Sequence, residues 1–325
     1  MQAIVMREFG GPEVLRTEEV PEPEPRAGHL AVEVSLAGIN YADIHVRGNT
    51  YLAPVDLPYV PGNEVMGTTD DGRRVIGLSR GGGYAERALL HRRVTWDVPD
   101  GIGDEQAVAL ALQGNSAWHL LFTTLRVTAG ETLVVPAAAG GVGSLAVQLA
   151  AYAGVKVIAL AGSEEKRKLA VDLGAHAAVD STADDLTERI LEAAGGPVHA
   201  ALEMTGGDTF HRTLDAVAPR GRLAVYGYAS GEMAQVPTRH LMERSLTVSG
   251  FWLPQLYGDR TALPTSMRAL FDAVEAGTLT PLTGARYPLD RAAQAHRDLA
   301  ARTPTGKLML DVRRRSTEAA PGSAI

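Results

Sequence analysis

The chain contains no cysteine, which removes disulfides, thiolate nucleophiles and every metal site that depends on sulfur ligands. Aromatic residues are sparse at 5%, and no apolar run is long enough to cross a bilayer. Basic charge does not dominate either. With 31 Lys and Arg against 38 Asp and Glu, the net charge of -7 offers no attraction to nucleic acid or to an anionic membrane. The opening Met1 to Val5 runs straight into Arg7 and Glu8, without the apolar core or cleavage site of a secretory signal. A cytoplasmic protein is the expectation.

What remains has ordinary globular composition, 45% hydrophobic and 21% charged, in 325 residues, enough for two domains with a core each. Leu30, Val32, Val34 and Leu36 alternate with smaller or polar residues, the period of a half-buried strand. From there to about residue 115 the segments are short and broken by Gly and Pro, as expected of a β-rich domain with functional loops. After Thr128-Ala129-Gly130 the texture changes. Apolar runs at 132–135, 155–160, 177–179, 200–203 and 223–227 alternate with helical patterns near 141–153, 164–173, 184–194 and 208–217. Such alternation predicts an α/β fold with a parallel sheet covered on both faces. Helices near 265–276 and 290–301 and a strand at 307–312 follow, and the polar stretch from Arg313 onward is expected to be disordered.

The strongest chemical signal is Val134-Val135-Pro136-Ala137-Ala138-Ala139-Gly140-Gly141-Val142-Gly143, between a strand and a helix. Small residues let the backbone turn sharply and approach a pyrophosphate, whose charge then meets the free N–H groups of the following helix. Val142, Leu145, Ala146, Leu149 and Ala153 continue at helical spacing. The alternative is a structural turn in some other α/β fold. Enzymes of this kind that use NAD place an acid at the tip of the second strand, to hold the ribose hydroxyls. Here the tip reads Leu160-Ala161-Gly162-Ser163 and runs into Glu164, Glu165, Lys166 and Arg167. A hydroxyl with cations and no acid suits a 2′-phosphate, so NADPH is expected over NADH. A solvated helix face is the competing reading of Lys166 and Arg167.

Taken together these motifs resemble the zinc-independent quinone oxidoreductase branch of the medium-chain dehydrogenase/reductase family. The resemblance runs from Gly10-Gly11-Pro12-Glu13-Val14-Leu15 through Gly38-Ile39-Asn40 and the glycine loop to Thr305-Gly306-Lys307. It implies a Rossmann doubly wound parallel sheet, residues 117–264, inserted into a β-rich GroES-like catalytic domain, residues 1–116 and 265–312, with the active site in the cleft. Zinc-dependent relatives have Gly-His-Glu where this chain has Gly62-Asn63-Glu64. Asn63 together with the absence of cysteine removes the usual zinc ligands, and no metal is expected.

The resemblance also implies the site residues. Without a metal, hydrogen-bond donors must steady the oxygen that gains charge during reduction, and the segment Asn40 to Tyr51 is where they are implied. Tyr51 is the first candidate for donating to the substrate carbonyl or delivering a proton; the alternatives are a cleft position against the cofactor and a loop aromatic that only packs. His45 is a second donor or a histidine without chemistry. Asn40 is implied to border the nicotinamide or else to be a turn residue; for Asp43, hydrogen bonding to the loop is expected. Cofactor contacts are implied at Ala139, Gly140, Gly141, Val142, Gly143, Gly162, Ser163, Lys166, Thr205, Tyr226, Gly227, Phe251 and Leu253. Lys307 is implied near the cofactor, or is an exposed charge at the start of a strand. Loops around 41–60, 112–118 and 251–263 are expected to line the substrate pocket. The implied activity is NADPH-dependent reduction of a quinone or other α,β-unsaturated carbonyl. The alternatives are a trans-acting 2-enoyl thioester reductase and a non-catalytic NADPH-binding protein. A homodimer, pairing through the strand around 246–249, is also implied.

Overall fold

In the computed structural model, which describes residues 1–314, the chain divides into two compact units, Met1–Leu112 with the segment from Thr283, and Gln113–Leu282. The expected disordered tail lies, beyond Arg314, outside the described residues. The division falls at 112 and 282, whereas 116 and 264 were expected. Helix Ala262–Glu275 accounts for much of the difference, because it packs into the second unit. There Asn115 Nδ2 lies 3.4 Å from Met267 Sδ, and His119 Nε2 lies 3.1 Å from Ser266 Oγ.

The second unit is a six-stranded parallel sheet. In spatial order its strands are Ala177–Asp180, Lys156–Ala161, Thr132–Val135, Val198–Glu203, Val217–Val225 and Thr247–Gly250. Numbered along the chain this is the 3-2-1-4-5-6 order of a doubly wound dinucleotide fold, with its order reversal beside Thr132–Val135. Thr132–Val135 is buried along its whole length, as a central strand covered on both faces must be. Helices Gly141–Tyr152, Glu164–Asp172, Leu186–Ala194 and Gly207–Ala216 follow the first four strands, within two residues of the ends read from periodicity. Their apolar stripes supply Leu186, Ile190, Phe210 and Leu214 to a core shared with Val134, Ile158, Ala201 and Leu223.

The first unit is built on a seven-stranded sheet, antiparallel except where Thr283–Pro288 pairs with Lys307–Asp311. Its long strand, His29–Gly38, shows the predicted alternation and buries Val32, Val34 and Leu36. Strands Glu64–Thr69, Arg87–His91 and Lys307–Asp311 all pair with it. The expected loop at 112–118 is instead part of a helical run from Asp104 to Leu125, with wide turns at Leu110–Gly114 and His119–Leu125. The run buries Ala107, Val108, Ala117, Leu120 and Leu121, small and aliphatic residues that simple pattern reading left unassigned. Among the described residues no helix is long and apolar enough to cross a membrane.

Candidate functional site

In the second unit the expected cofactor residues gather at one edge of the sheet, the C-terminal ends of its strands, where open α/β sheets bind ligands. Pro136 to Gly140 turn the chain from Thr132–Val135 into helix Gly141–Tyr152, with Ala137 at φ 46°. Gly140 N–H donates to the Ala137 carbonyl at 2.8 Å, and Ser144 N–H to the Gly140 carbonyl at 2.9 Å. The N–H groups of Gly141, Val142 and Gly143 form the first turn of the helix, where backbone donors have no partner within the helix itself. A Cβ at Gly143 would overlap the Ala137 carbonyl oxygen and sit 2.9 Å from Ala138 Cα, so only glycine lets the loop fold this closely. Ala139 is buried beside it.

At the neighbouring strand end Gly162 is exposed, and Ser163 caps helix Glu164–Asp172 by accepting from Lys166 N–H at 3.3 Å. Burial holds the Lys166 ammonium below its ordinary range. Arg167 turns away to Asp180, 3.2 Å off, and to the Ala161 carbonyl, so of the two cations Arg167 serves the fold.

Thr205, Tyr226 and Gly227 meet at the ends of the next two strands. Glu203, buried and unremarked in the sequence, accepts from Thr205 N–H at 2.8 Å and Gly206 N–H at 3.2 Å, while its carbonyl receives Tyr226 N–H at 2.9 Å. Its burial pushes the carboxyl upward against these donors. Phe251 N–H donates to the Val225 carbonyl at 2.8 Å, which holds Phe251 at the same edge, and Leu253 is buried two residues on.

In the first unit the long strand ends at Gly38 and delivers Asn40 to the N-terminus of helix Tyr41–Arg47. Asp43 reaches back to accept Asn40 N–H at 2.8 Å, the reciprocal pattern of a capping box. The same carboxylate accepts Asn63 Nδ2 at 2.9 Å and the Tyr84 hydroxyl at 3.1 Å. Asn63, standing where zinc-dependent relatives have histidine, is thus occupied in supporting the loop. Burial pushes the Asp43 carboxyl up to about 6, against the lowering effect of Asn40 N–H, Lys307 and Tyr84.

Beyond Tyr84 lies His296 Nε2 at 3.2 Å, and beyond its Nδ1 lies Arg47 Nη1 at 3.4 Å. Because Arg47 only donates and Asp43 accepts the Tyr84 hydroxyl, the neutral His296 must accept at Nδ1 and donate from Nε2. Burial and the Arg47 charge hold it down to about 3.

Lys307, foreseen at the cofactor or at the surface, has no accessible side chain. It forms an ion pair with Glu64 and donates to Asn40 Oδ1 at 2.7 Å. Its opening position in strand Lys307–Asp311, beside Ile39, sets this geometry: Ile39 N–H bonds the Leu308 carbonyl at 2.9 Å. Asn40 and Lys307 are therefore together. His45 faces another way, with Nδ1 3.1 Å from Thr50 Oγ1 and its ring 5.9 Å from that of Tyr41. Burial lowers the His45 pKa, which keeps the ring neutral at pH 7. Tyr51 is half-buried beside Tyr59, whose hydroxyl pKa is raised by burial first, then by Asp43 and Tyr51. Among the described residues no three His, Asp or Glu side chains converge as a metal site would require.

Residues 141–272 match the family described as zinc-binding dehydrogenase. They lie wholly in the second unit and do not include Asn63. A quinone oxidoreductase of Pseudomonas aeruginosa is 35% identical over 317 residues, covering 93% of this chain and 97% of that protein. Rat quinone oxidoreductase is 32% identical over 312 residues, covering 92% and 94%. The chain belongs to the zinc-independent quinone oxidoreductase branch of the medium-chain dehydrogenases and reductases. Among solved quinone oxidoreductases, that of Escherichia coli, complexed with NADPH, superimposes with a TM-score of 0.91 at 30% identity, covering 96% of this chain and 100% of that one. This member of the branch is accordingly an oxidoreductase.

Proposed function

We propose that the chain is a cytoplasmic, homodimeric oxidoreductase that uses NADPH to reduce a quinone or another α,β-unsaturated carbonyl. The observation that carries the cofactor is the cradle at the switch point of the parallel sheet, which only a glycine at 143 lets fold so closely. It fits a pyrophosphate, with the N–H groups of Gly141, Val142 and Gly143 as donors and Ala139 and Gly140 forming the turn. Ser163 and Lys166 suit the 2′-phosphate beside Gly162, and Thr205, Tyr226, Gly227, Phe251 and Leu253 suit the nicotinamide half. The E. coli relative complexed with NADPH supports this choice of cofactor.

Bound NADPH supplies the hydride that reduces the conjugated acceptor. In the first unit Tyr51 donates from Oη to the substrate oxygen as charge grows there, and His45, whose Nδ1 is turned to Thr50, is the second candidate donor through Nε2. Asn40, held at its backbone by Asp43, offers its amide to the nicotinamide. The polar character of these three side chains supports retained chemistry over a purely structural role. Support for two copies comes from strand Thr247–Gly250, an open sheet edge, and from the apolar side chain of Met242, five residues before it in the chain, which is 72% exposed.

The test is NADPH oxidation followed by absorbance with 1,4-benzoquinone, 9,10-phenanthrenequinone, a simple enone and crotonyl-CoA, with NADH as control. Turnover of quinones or the enone with NADPH is expected. Turnover of crotonyl-CoA alone would establish the enoyl thioester reductase instead, and NADPH binding without turnover of any acceptor would leave the protein a binding module.

A further inference from the structure

Glu64 and Lys307 are fully buried, and a buried ion pair adds little stability compared with apolar residues of the same size. Its surroundings point to a different use. Three strand ends meet at this place: the end of His29–Gly38, the start of Glu64–Thr69 and the start of Lys307–Asp311. Gly38 lies between the two charges. A Cβ there would stand 2.7 Å from Lys307 Cε and 2.9 Å from its Nζ, and would overlap Glu64 Oε2. The pair therefore exists only because residue 38 has no side chain.

Glu64 is itself anchored, since Oε1 accepts Leu112 N–H at 2.6 Å. Its other oxygen faces Lys307 and, at 3.4 Å, Asn40 Nδ2. Lysine can only donate and an ionised carboxylate can only accept. Lys307 consequently holds the oxygen end of the Asn40 amide, Glu64 faces the nitrogen end, and a flip of the amide would set donor against donor and acceptor against acceptor.

We propose that Lys307 and Glu64 are positioning residues, which lock the Asn40 amide in the one orientation that presents its NH2 as a donor for the reaction. The inference rests on the role of Asn40 proposed above. The pair acts through Asn40 and touches neither substrate nor cofactor.

The test is a cycle of three enzymes in the NADPH-coupled quinone assay: Asn40→Ala, the double variant Lys307→Met with Glu64→Gln, and all three substitutions together. The double variant removes both charges while leaving an acceptor for Leu112 N–H. Its kcat is expected to fall by about 10- to 100-fold, the scale of a misplaced reacting group, with NADPH affinity kept within about 3-fold. Adding Asn40→Ala is expected to lower kcat no further, because coupled residues are non-additive. A double variant as fast as wild type beside a slow Asn40→Ala would overturn the positioning role alone. Multiplicative losses in the triple variant would do the same. An Asn40→Ala enzyme with unchanged kcat would overturn the role of Asn40 itself. Should the double variant not fold, side-chain amide NMR of the wild type decides: Asn40 Nδ2 protons shifted from the free-asparagine positions and strongly protected from solvent exchange are expected, and shifts and exchange like those of an exposed asparagine would sink the proposal.

Discussion

Glycines 141 and 143 stand two residues apart in one loop, yet their neighbours differ in kind. An added Cβ at Gly143 meets the backbone carbonyl of Ala137, whereas at Gly141 it meets the side-chain amide of Gln113. A side-chain end can rotate away and a packed turn cannot. Gly143→Ala is therefore expected to weaken NADPH binding by 10-fold or more (about 1.4 kcal/mol or above), and Gly141→Ala to cost distinctly less, both read by fluorescence titration. Equal losses would mean that the backbone contact is not the deciding one. The glycine loop was legible because its determinants are local: strand, small residues and helix follow one another in sequence. Lys307 was not legible in this way. Its partners Glu64 and Asn40 are more than two hundred residues distant, and only the pairing of three strands puts an ammonium where no solvent reaches. Glu203 escaped notice for a related reason, since an acid ending an apolar strand gives no sign that the next turn will fold its N–H groups back onto it.

Among the elements, helix Glu164–Asp172 offers a separation of two roles at its first turn. Ser163→Ala removes the cap and is expected to lower stability by about 1 kcal/mol, measured by denaturant unfolding. Lys166→Ala leaves the cap in place. It is expected to raise the Kd for NADPH by about 10-fold, the scale of one charge-assisted hydrogen bond, with little change for NADH. Loss of both affinities alike would remove the 2′-phosphate assignment. Helix Thr238–Arg244 presents a contrasting case, since none of its residues is buried although Met242 is apolar and largely exposed. Met242→Lys is expected to shift the protein toward half its mass in sedimentation analysis while NADPH binding persists. No periodic signal marks this helix in the sequence, because it is seven residues long and only Leu241 packs against the core.

Across the first unit the chain from Arg47 through His296 and Tyr84 to Asp43 ties the pH dependence of stability to two groups of opposite sign. Asp43 is raised to about 6, so its contribution is present below its unfolded value near 3.8 and is lost as the pH rises toward 6. His296 is depressed to about 3. Its contribution is present above 6.5 and is lost as the pH falls toward 3. The two oppose each other between about pH 4 and 6, and only His296 acts below that range. His296→Phe is thus expected to gain stability relative to wild type steadily as the pH drops from 6.5 to 3.5, measured by denaturant midpoints at each pH. A constant difference would show that His296 is not held neutral.

The first unit is made from residues 1–112 and from the segment beginning at 283, while the second is continuous. During synthesis, domains generally fold as their residues emerge, from the N-terminal side onward. Here the second unit has all of its residues outside the ribosome before the first can close, although the first began earlier. Glu64 waits as a lone carboxylate through the translation of some two hundred and forty codons, until Lys307 arrives to neutralise it. A message cut short before that codon encodes every residue of the second unit but leaves Glu64 without its cation and strand His29–Gly38 without the partner Lys307–Asp311, an open edge of the kind on which chains aggregate.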